Sequence, residues 1–288
     1  MYQVCAQTND VGVRKVPLNV KDGRFQLRVD ELGKYLRYRL GVVDGGVQVK
    51  RALSADPDVK ILFLCSPGNP TGSLLDPQDV KALLEYRSYR GLIVVDEAYI
   101  DFAETVDGQN PSAATWVMDY PNLLVSQTLS KSFGLAAIRF GVGIAQPALI
   151  QYLSKAKAPY NLSTPTLSIA EEALSAEGVE AMRRNVAVLV SDRRRLIEAL
   201  RAMPRIGKIL GLCDANFVLA EVLDRDGNPS NAAAQAVYEA LAKDRGVVVR
   251  FRGNEPGCFA CLRITVGTAE EIGVLLRELT KIFERAEV

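Results

Sequence analysis

Leu123-Leu-Val-Ser-Gln-Thr-Leu-Ser-Lys-Ser-Phe-Gly-Leu-Ala-Ala-Ile-Arg139 is the stretch that decides how this chain reads. Its opening, Leu123-Leu-Val-Ser126, is a short apolar run of strand length. One lysine, Lys131, then stands among small and hydroxyl residues, with Arg139 eight positions on. Most lysines are solvated surface groups. The neighbours argue otherwise here. Thr128, Ser130 and Ser132 offer hydroxyl donors, Gly134 permits an unusual backbone angle, and Arg139 has the planar fork that grips a phosphate. Lysine also forms Schiff bases with carbonyls once its amine is partly neutral. A lysine flanked by phosphate-binding groups points to an aldehyde cofactor that carries a phosphate, pyridoxal 5'-phosphate.

Upstream, Lys60-Ile-Leu-Phe-Leu-Cys65 is a continuous apolar run, the pattern of a parallel strand covered on both faces. It ends in the turn-forming cluster Ser66-Pro-Gly-Asn-Pro-Thr-Gly72. Asp76-Pro77 opens a helix that runs through Tyr86. Gly91-Leu-Ile-Val-Val95 is the next buried strand, with Asp96-Glu-Ala-Tyr99 at its end. An aspartate straight after such a strand is costly without a cationic partner. Strand, loop, helix, strand is the βαβ pattern of a parallel sheet. A further strand, Phe140 to Ala145, follows Arg139. Three strand ends therefore deliver Asn69, Asp96 with Tyr99, and Lys131 with Arg139 to one edge, where open α/β sheets bind ligands. Pyridoxal phosphate needs an acid at its ring nitrogen, donors at its phenolic oxygen, a lysine and a phosphate cradle. Each is present.

The composition of the 288-residue chain excludes other chemistries. It contains no histidine, which removes Ser-His-Asp and Cys-His hydrolases and histidine proton relays. Acid–base work falls to Lys, Tyr, Asp or Glu. The net charge of +1 makes no electrostatic case for nucleic acid or an acidic membrane surface. No apolar run approaches the roughly 20 residues that span a bilayer. The first ten residues lack the basic-then-apolar order of a secretory signal, and the five scattered cysteines suit a reducing compartment, so a cytoplasmic location is expected. Cys258 and Cys261 form a lone C-x-x-C without the further ligands a zinc site needs, and no metal is expected.

Around this centre, Tyr2-Gln-Val-Cys-Ala6 reads as helix and Val11 to Leu18 as a strand. Leu27 to Leu36 carries a helical pattern and Gly45-Gly46 marks a loose stretch. After Pro159-Tyr-Asn161, Thr164-Pro165 initiates a long helical stretch to about Met203, interrupted near Gly178, with Arg193-Arg-Arg195 as a solvated face. Shorter elements follow: strands at Phe217–Val222, Val247–Arg250 and Cys261–Val266, and a helix at Ala232–Lys243. A terminal amphipathic helix, Glu270–Arg285, has Ile272, Leu275, Leu276, Leu279 and Phe283 on its buried side. The expected organisation is a large, mostly parallel α/β domain over 1–170 and a smaller α+β domain over 171–288, led by the long helix.

The Lys131 segment resembles the lysine signature of fold-type-I pyridoxal-phosphate aminotransferases, with Ala137 where many relatives carry glycine. Cys65–Gly72, Val95–Tyr99, Lys157-Ala-Pro-Tyr-Asn161, Asp214-Ala-Asn-Phe217, Gly246-Val-Val-Val-Arg250 and Cys261–Thr268 extend the likeness over essentially the whole chain, in order. Together they resemble the histidinol-phosphate aminotransferase family. The resemblance implies that Lys131 carries the cofactor and shuttles the substrate α-proton. It also implies that Asp96 pairs with the ring nitrogen, that Asn69 and Tyr99 bond the phenolic oxygen, and that Thr128, Ser130 and Arg139 hold the phosphate. Arg263, assisted by Arg250, would grip the substrate anion. The implied reaction is transamination between histidinol phosphate and 2-oxoglutarate, giving imidazole-acetol phosphate and glutamate, in a homodimer. Another aminotransferase or a phosphoamino-acid lyase on the same fold is the rival reading, as is an inactive truncated product. Family members carry a further segment ahead of the position of Met1, with a glycine-rich phosphate turn, a ring-stacking aromatic residue and a tyrosine lent to the neighbouring subunit. The chain is therefore expected to be a piece of a longer protein, with weak or absent cofactor binding and poor solubility from uncovered core; Tyr2 is given no stacking role.

Overall fold

The computed structural model describes residues 2–27, 59–86, 89–104 and 110–284. In chain order the helices are α1 (Tyr2–Thr8), α2 (Pro77–Leu84), α3 (Pro147–Ala156), α4 (Thr164–Ala173), α5 (Ala176–Arg201), α6 (Asn231–Asp244) and α7 (Ala269–Glu284). The strands are β1 (Ile61–Cys65), β2 (Leu92–Asp96), β3 (Leu123–Thr128), β4 (Gly141–Ala145), β5 (Ile206–Leu210), β6 (Phe217–Val222), β7 (Arg250–Phe251) and β8 (Cys261–Thr265). They form two four-stranded sheets, β1-β2-β3-β4 and β5-β6-β8-β7.

In the first sheet β1, β2 and β3 run parallel. Cys65 pairs with Asp96 and Asp96 with Ser126, so the three carboxyl ends lie side by side. β4 returns antiparallel, with Thr128 opposite Gly141. That reversal brings Arg139, two residues before β4, back to the edge from which Lys131 departs. Leu64, Ile93, Val95, Leu123 and Val125 alternate onto one face and pack with Val80, Leu83 and Leu84 of α2. Asp76 starts α2 by accepting from the Gln78 N–H at 2.8 Å.

The second sheet is antiparallel throughout. Val218, Ala220, Leu262 and Ile264 turn to a core filled by Leu196 and Leu200 of α5, Val237 and Leu241 of α6, and Leu275 and Leu279 of α7. The alternate residues, Phe217, Leu219, Cys261 and Arg263, therefore face the opposite way. Leu219 and Cys261 pack on Phe25, and Phe217 packs on Tyr99 and Phe102. Sheet and site meet through this second face.

Four local expectations change. Residues 11–18 form no strand; Val11 and Val13 are exposed, Pro17 offers no N–H, and an isolated bridge forms just beyond them, between Asn19 and Gln26. The break between α4 and α5 falls at Ser175, whose hydroxyl caps α5 by accepting from Gly178 N–H at 3.1 Å. Residues 247–249 do not enter the sheet, because the Val247 N–H closes the end of α6 on the Leu241 carbonyl. Arg193 is buried, its Nη1 donating to the Phe102 carbonyl at 3.1 Å and the Ala215 carbonyl at 2.8 Å. Successive helical positions are about 100° apart, so three adjacent arginines cannot share one solvated face. Of the earlier part, the pattern at 27–36 from residue 28 on and the stretch around Gly45 lie outside the described residues.

Candidate active site

A cavity of about 400 Å³ opens at the carboxyl edge of the first sheet. Asp96, Ala98, Ser126, Gln127, Thr128, Ser130, Lys131 and Arg139 line it. The carboxylate at the end of β2 and the amine beyond β3 thus share one space. Five of the residues singled out from the sequence lie in it: Asp96, Thr128, Ser130, Lys131 and Arg139.

The turn after β3 makes this arrangement. Thr128 Oγ1 accepts from the Ser130 N–H at 3.2 Å and lies 2.9 Å from Ser130 Oγ, so the two hydroxyls form one cluster. Gly134 takes φ +68°, which a side chain would resist. Arg139 also sits in the left-handed region, φ 54° and ψ 44°. Such a conformation is uncommon for a residue with a Cβ and clusters at functional sites. Here it aims an exposed guanidinium beside the hydroxyl cluster, with Nη1 on the Ala136 carbonyl at 2.9 Å. Lys131 is exposed, lies 5.3 Å from the centre of the Tyr99 ring, and has no carboxylate partner among the described residues.

The other candidates form a second cluster beside the first. Tyr99 is buried edge-on against Phe217 at 5.2 Å. Arg263 stacks over Phe217, 5.0 Å from the ring centre, and donates from Nη1 to Asn69 Oδ1 at 2.7 Å. That bond occupies the Asn69 oxygen and leaves its amide N–H groups to donate elsewhere. Arg263 Nε is buried without a partner. Burial first, then the nearby Arg252 guanidinium, weaken the hold of Arg263 on its proton. Arg250 is exposed and directly opposite Arg263 across the β7–β8 pair. Two like charges at paired positions repel unless an anion lies between them.

Sequence reasoning missed the support beneath the cavity. Glu97, next to Asp96, is 2% exposed. It accepts from Ser112 Oγ at 2.6 Å, the Ala113 N–H at 2.6 Å and Gln127 Nε2 at 2.8 Å. Burial pushes its carboxyl above its ordinary value despite these donors. A carboxylate one step out of phase with a strand-end aspartate was the available signal, since alternation sends it to the opposite side. Cys258 and Cys261 are both buried, with burial pushing the Cys258 thiol up to about 11 and raising Cys261 as well.

The fold and these residues define a class. The chain belongs to the aminotransferase class I and II family, whose model matches residues 1–279. Within it, the chain is 42% identical over 284 residues to the histidinol-phosphate aminotransferase of Candida maltosa, covering 98% of this chain and 67% of that protein. It is 43% identical over 286 residues to the histidinol-phosphate aminotransferase of Schizosaccharomyces pombe, covering 99% of this chain and 68% of that one. The chain thus spans about two thirds of the length of these curated relatives. Its fold matches the crystal structure of the histidinol-phosphate aminotransferase from Clostridium acetobutylicum with a TM-score of 0.77 at 22% identity, covering 98% of this chain and 74% of that one.

Proposed function

We propose that this chain carries the cofactor and substrate residues of a pyridoxal-phosphate-dependent histidinol-phosphate aminotransferase, acting in histidine biosynthesis with 2-oxoglutarate as amino acceptor. One observation carries the reading: a single cavity has a carboxylate at one side and, at the other, a lysine amine beside a hydroxyl–guanidinium cluster. That donor set fits the group. Asp96 would face its ring nitrogen, Thr128, Ser130 and Arg139 its phosphate, and Asn69 and Tyr99 its phenolic oxygen. Bound pyridoxal phosphate supplies an electrophilic carbon and an electron sink. Lys131 takes and returns the proton at the substrate α-carbon. Asp96 keeps the ring nitrogen protonated. Arg263, already anchored through Asn69, orients an anionic substrate group, and Arg250 across the strand pair adds a second positive charge for a phosphate.

The two sheets, each with its own core, support a division into 1–170 and 171–288. A homodimer is supported by α3, which buries no residue and exposes Tyr152 (71%) and Leu153 (42%). Among the described residues no helix is long and apolar enough to cross a membrane.

The test compares amino transfer from histidinol phosphate, aspartate, phenylalanine and threonine phosphate to 2-oxoglutarate. Preference for histidinol phosphate is expected. A preference for aspartate or phenylalanine, or release of carbon dioxide from threonine phosphate, would replace this substrate assignment with a sister reaction on the same fold.

A further inference from the structure

Helix α1 brings to the cavity edge a residue that no reading of the motifs assigns. The Tyr2 hydroxyl donates a hydrogen bond to Asp96 Oδ2. The Ala98 N–H donates to the other oxygen, Oδ1, at 3.0 Å. Ser126, opposite Asp96 in the β2–β3 pair, lines the same cavity and tempers the rise in the Tyr2 phenol. The Tyr2 ring lies against Phe63, with centroids 4.3 Å apart and planes tilted by 31°. This one residue therefore touches β1 through Phe63 and β2 through Asp96, at the edge where β1, β2 and β3 end together.

An ionised carboxylate has about four acceptor sites on its two oxygens. One donor on each oxygen fixes its plane and leaves acceptor capacity over. Burial, and after it the contact with Asp96, push the Tyr2 phenol well above its ordinary value of 10.0. It stays a donor through neutral and mildly alkaline pH.

We infer that Tyr2 is a positioning residue for Asp96: its hydroxyl and the Ala98 N–H clamp the carboxylate from both oxygens, so that its remaining lone pairs meet the ring nitrogen of the cofactor in one orientation. Tyr2 touches no reacting atom; it acts through Asp96. The inference rests on Asp96 being the cofactor's acid.

Tyr2→Phe keeps the ring against Phe63 and removes only the hydroxyl. With pyridoxal phosphate titrated into the cofactor-free chain and followed by absorbance, the variant is expected to bind about tenfold more weakly, the loss of one hydrogen bond to a charged acceptor. The band of the bound cofactor, which reports ring protonation, is expected to change shape. Beside Asp96→Asn the same substitution should weaken binding by less than about twofold, because groups that act through one another are not additive. An undiminished loss beside Asp96→Asn overturns the inference. So does unchanged affinity and band shape accompanied by a lower melting temperature of the cofactor-free chain, which would make Tyr2 a tether for α1 alone. Binding indifferent to position 2 overturns the inference and spares the reading of Asp96. Cofactor affinity and band shape unchanged by Asp96→Asn overturn both.

Discussion

The two sheets solve the problem of covering their faces differently. The second is closed on both. Three helices fill one face, where Leu262 and Leu279 are 0% exposed, while Phe25 seals Leu219 and Cys261 on the other. The first is sealed on one face by α2, with Ile93 and Leu123 at 0%. On its other face Val94 and Leu124 of the inner strands are buried, while Ile61 (49%) and Phe63 (45%) of β1 remain exposed. The well-filled sheet is a scaffold that lends one arginine-bearing face. The less fully covered sheet leaves three strand ends open, and the proposed site lies there.

Breaking the chemistry should have the largest effect. Lys131→Ala is expected to lower kcat for amino transfer by at least about a thousandfold, within the range ascribed to a positioned proton-transfer group, with the melting temperature unchanged. Lys131 is exposed and has no carboxylate partner among the described residues, so its side chain adds little to the fold beyond its approach to the Tyr99 ring. Single-turnover kinetics and a thermal melt check both halves.

Breaking the scaffold comes next. Leu279→Ala should cost about 2–5 kcal/mol by denaturant unfolding, as a cavity in a closed core does. Phe63→Ala, in the open face, should cost only about 1 kcal/mol, since nearly half of that residue stays in water on folding. Equal costs would erase the contrast between the sheets.

Arg193→Met probes the seam between them. It keeps the apolar stem and strips the guanidinium from the Phe102 and Ala215 carbonyls. Two buried acceptors lose a charged donor, a loss of about 3 kcal/mol. If unfolding shows no loss, Arg193 does not join the sheets.

The smallest effect is a slope. Glu97 binds its proton more tightly when folded, because burial raises its carboxyl above the ordinary value of 4.5. Between that value and the raised one, the folded chain holds more proton than the unfolded chain. Stability therefore falls as pH rises through this window and is greatest below it. Asp214, likewise raised by burial, adds to the same slope. Glu97→Gln should flatten it in part; an unaltered slope from unfolding at several pH values would assign it to other groups.

How much was legible follows from these particulars. The residues of the cavity were readable because each sits at the end of an apolar run, and parallel strands place their ends together. Asp96 and Lys131 needed only that rule, whereas Arg139 comes back to the edge through the antiparallel return of β4. Val11–Leu18 misled because alternation of valines shows what a strand could bury, not whether a partner lies beside it. Arg193 misled because a run of like charges looks solvated until a helix is placed between two layers. Glu97 was visible but mute: its donors come from residues 112, 113 and 127, which only folding brings near.

Taken alone, the amino-acid sequence determined the strand ends, the absence of histidine and the residue types that suit a phosphorylated aldehyde, because these depend on local pattern and side-chain chemistry. Tertiary structure decided which groups hold those side chains still. Arg263 reaches Asn69 across 194 positions and Tyr2 reaches Asp96 across 94. A hydrogen bond needs its atoms about 3 Å apart, and over such separations only the packing of whole elements sets that distance.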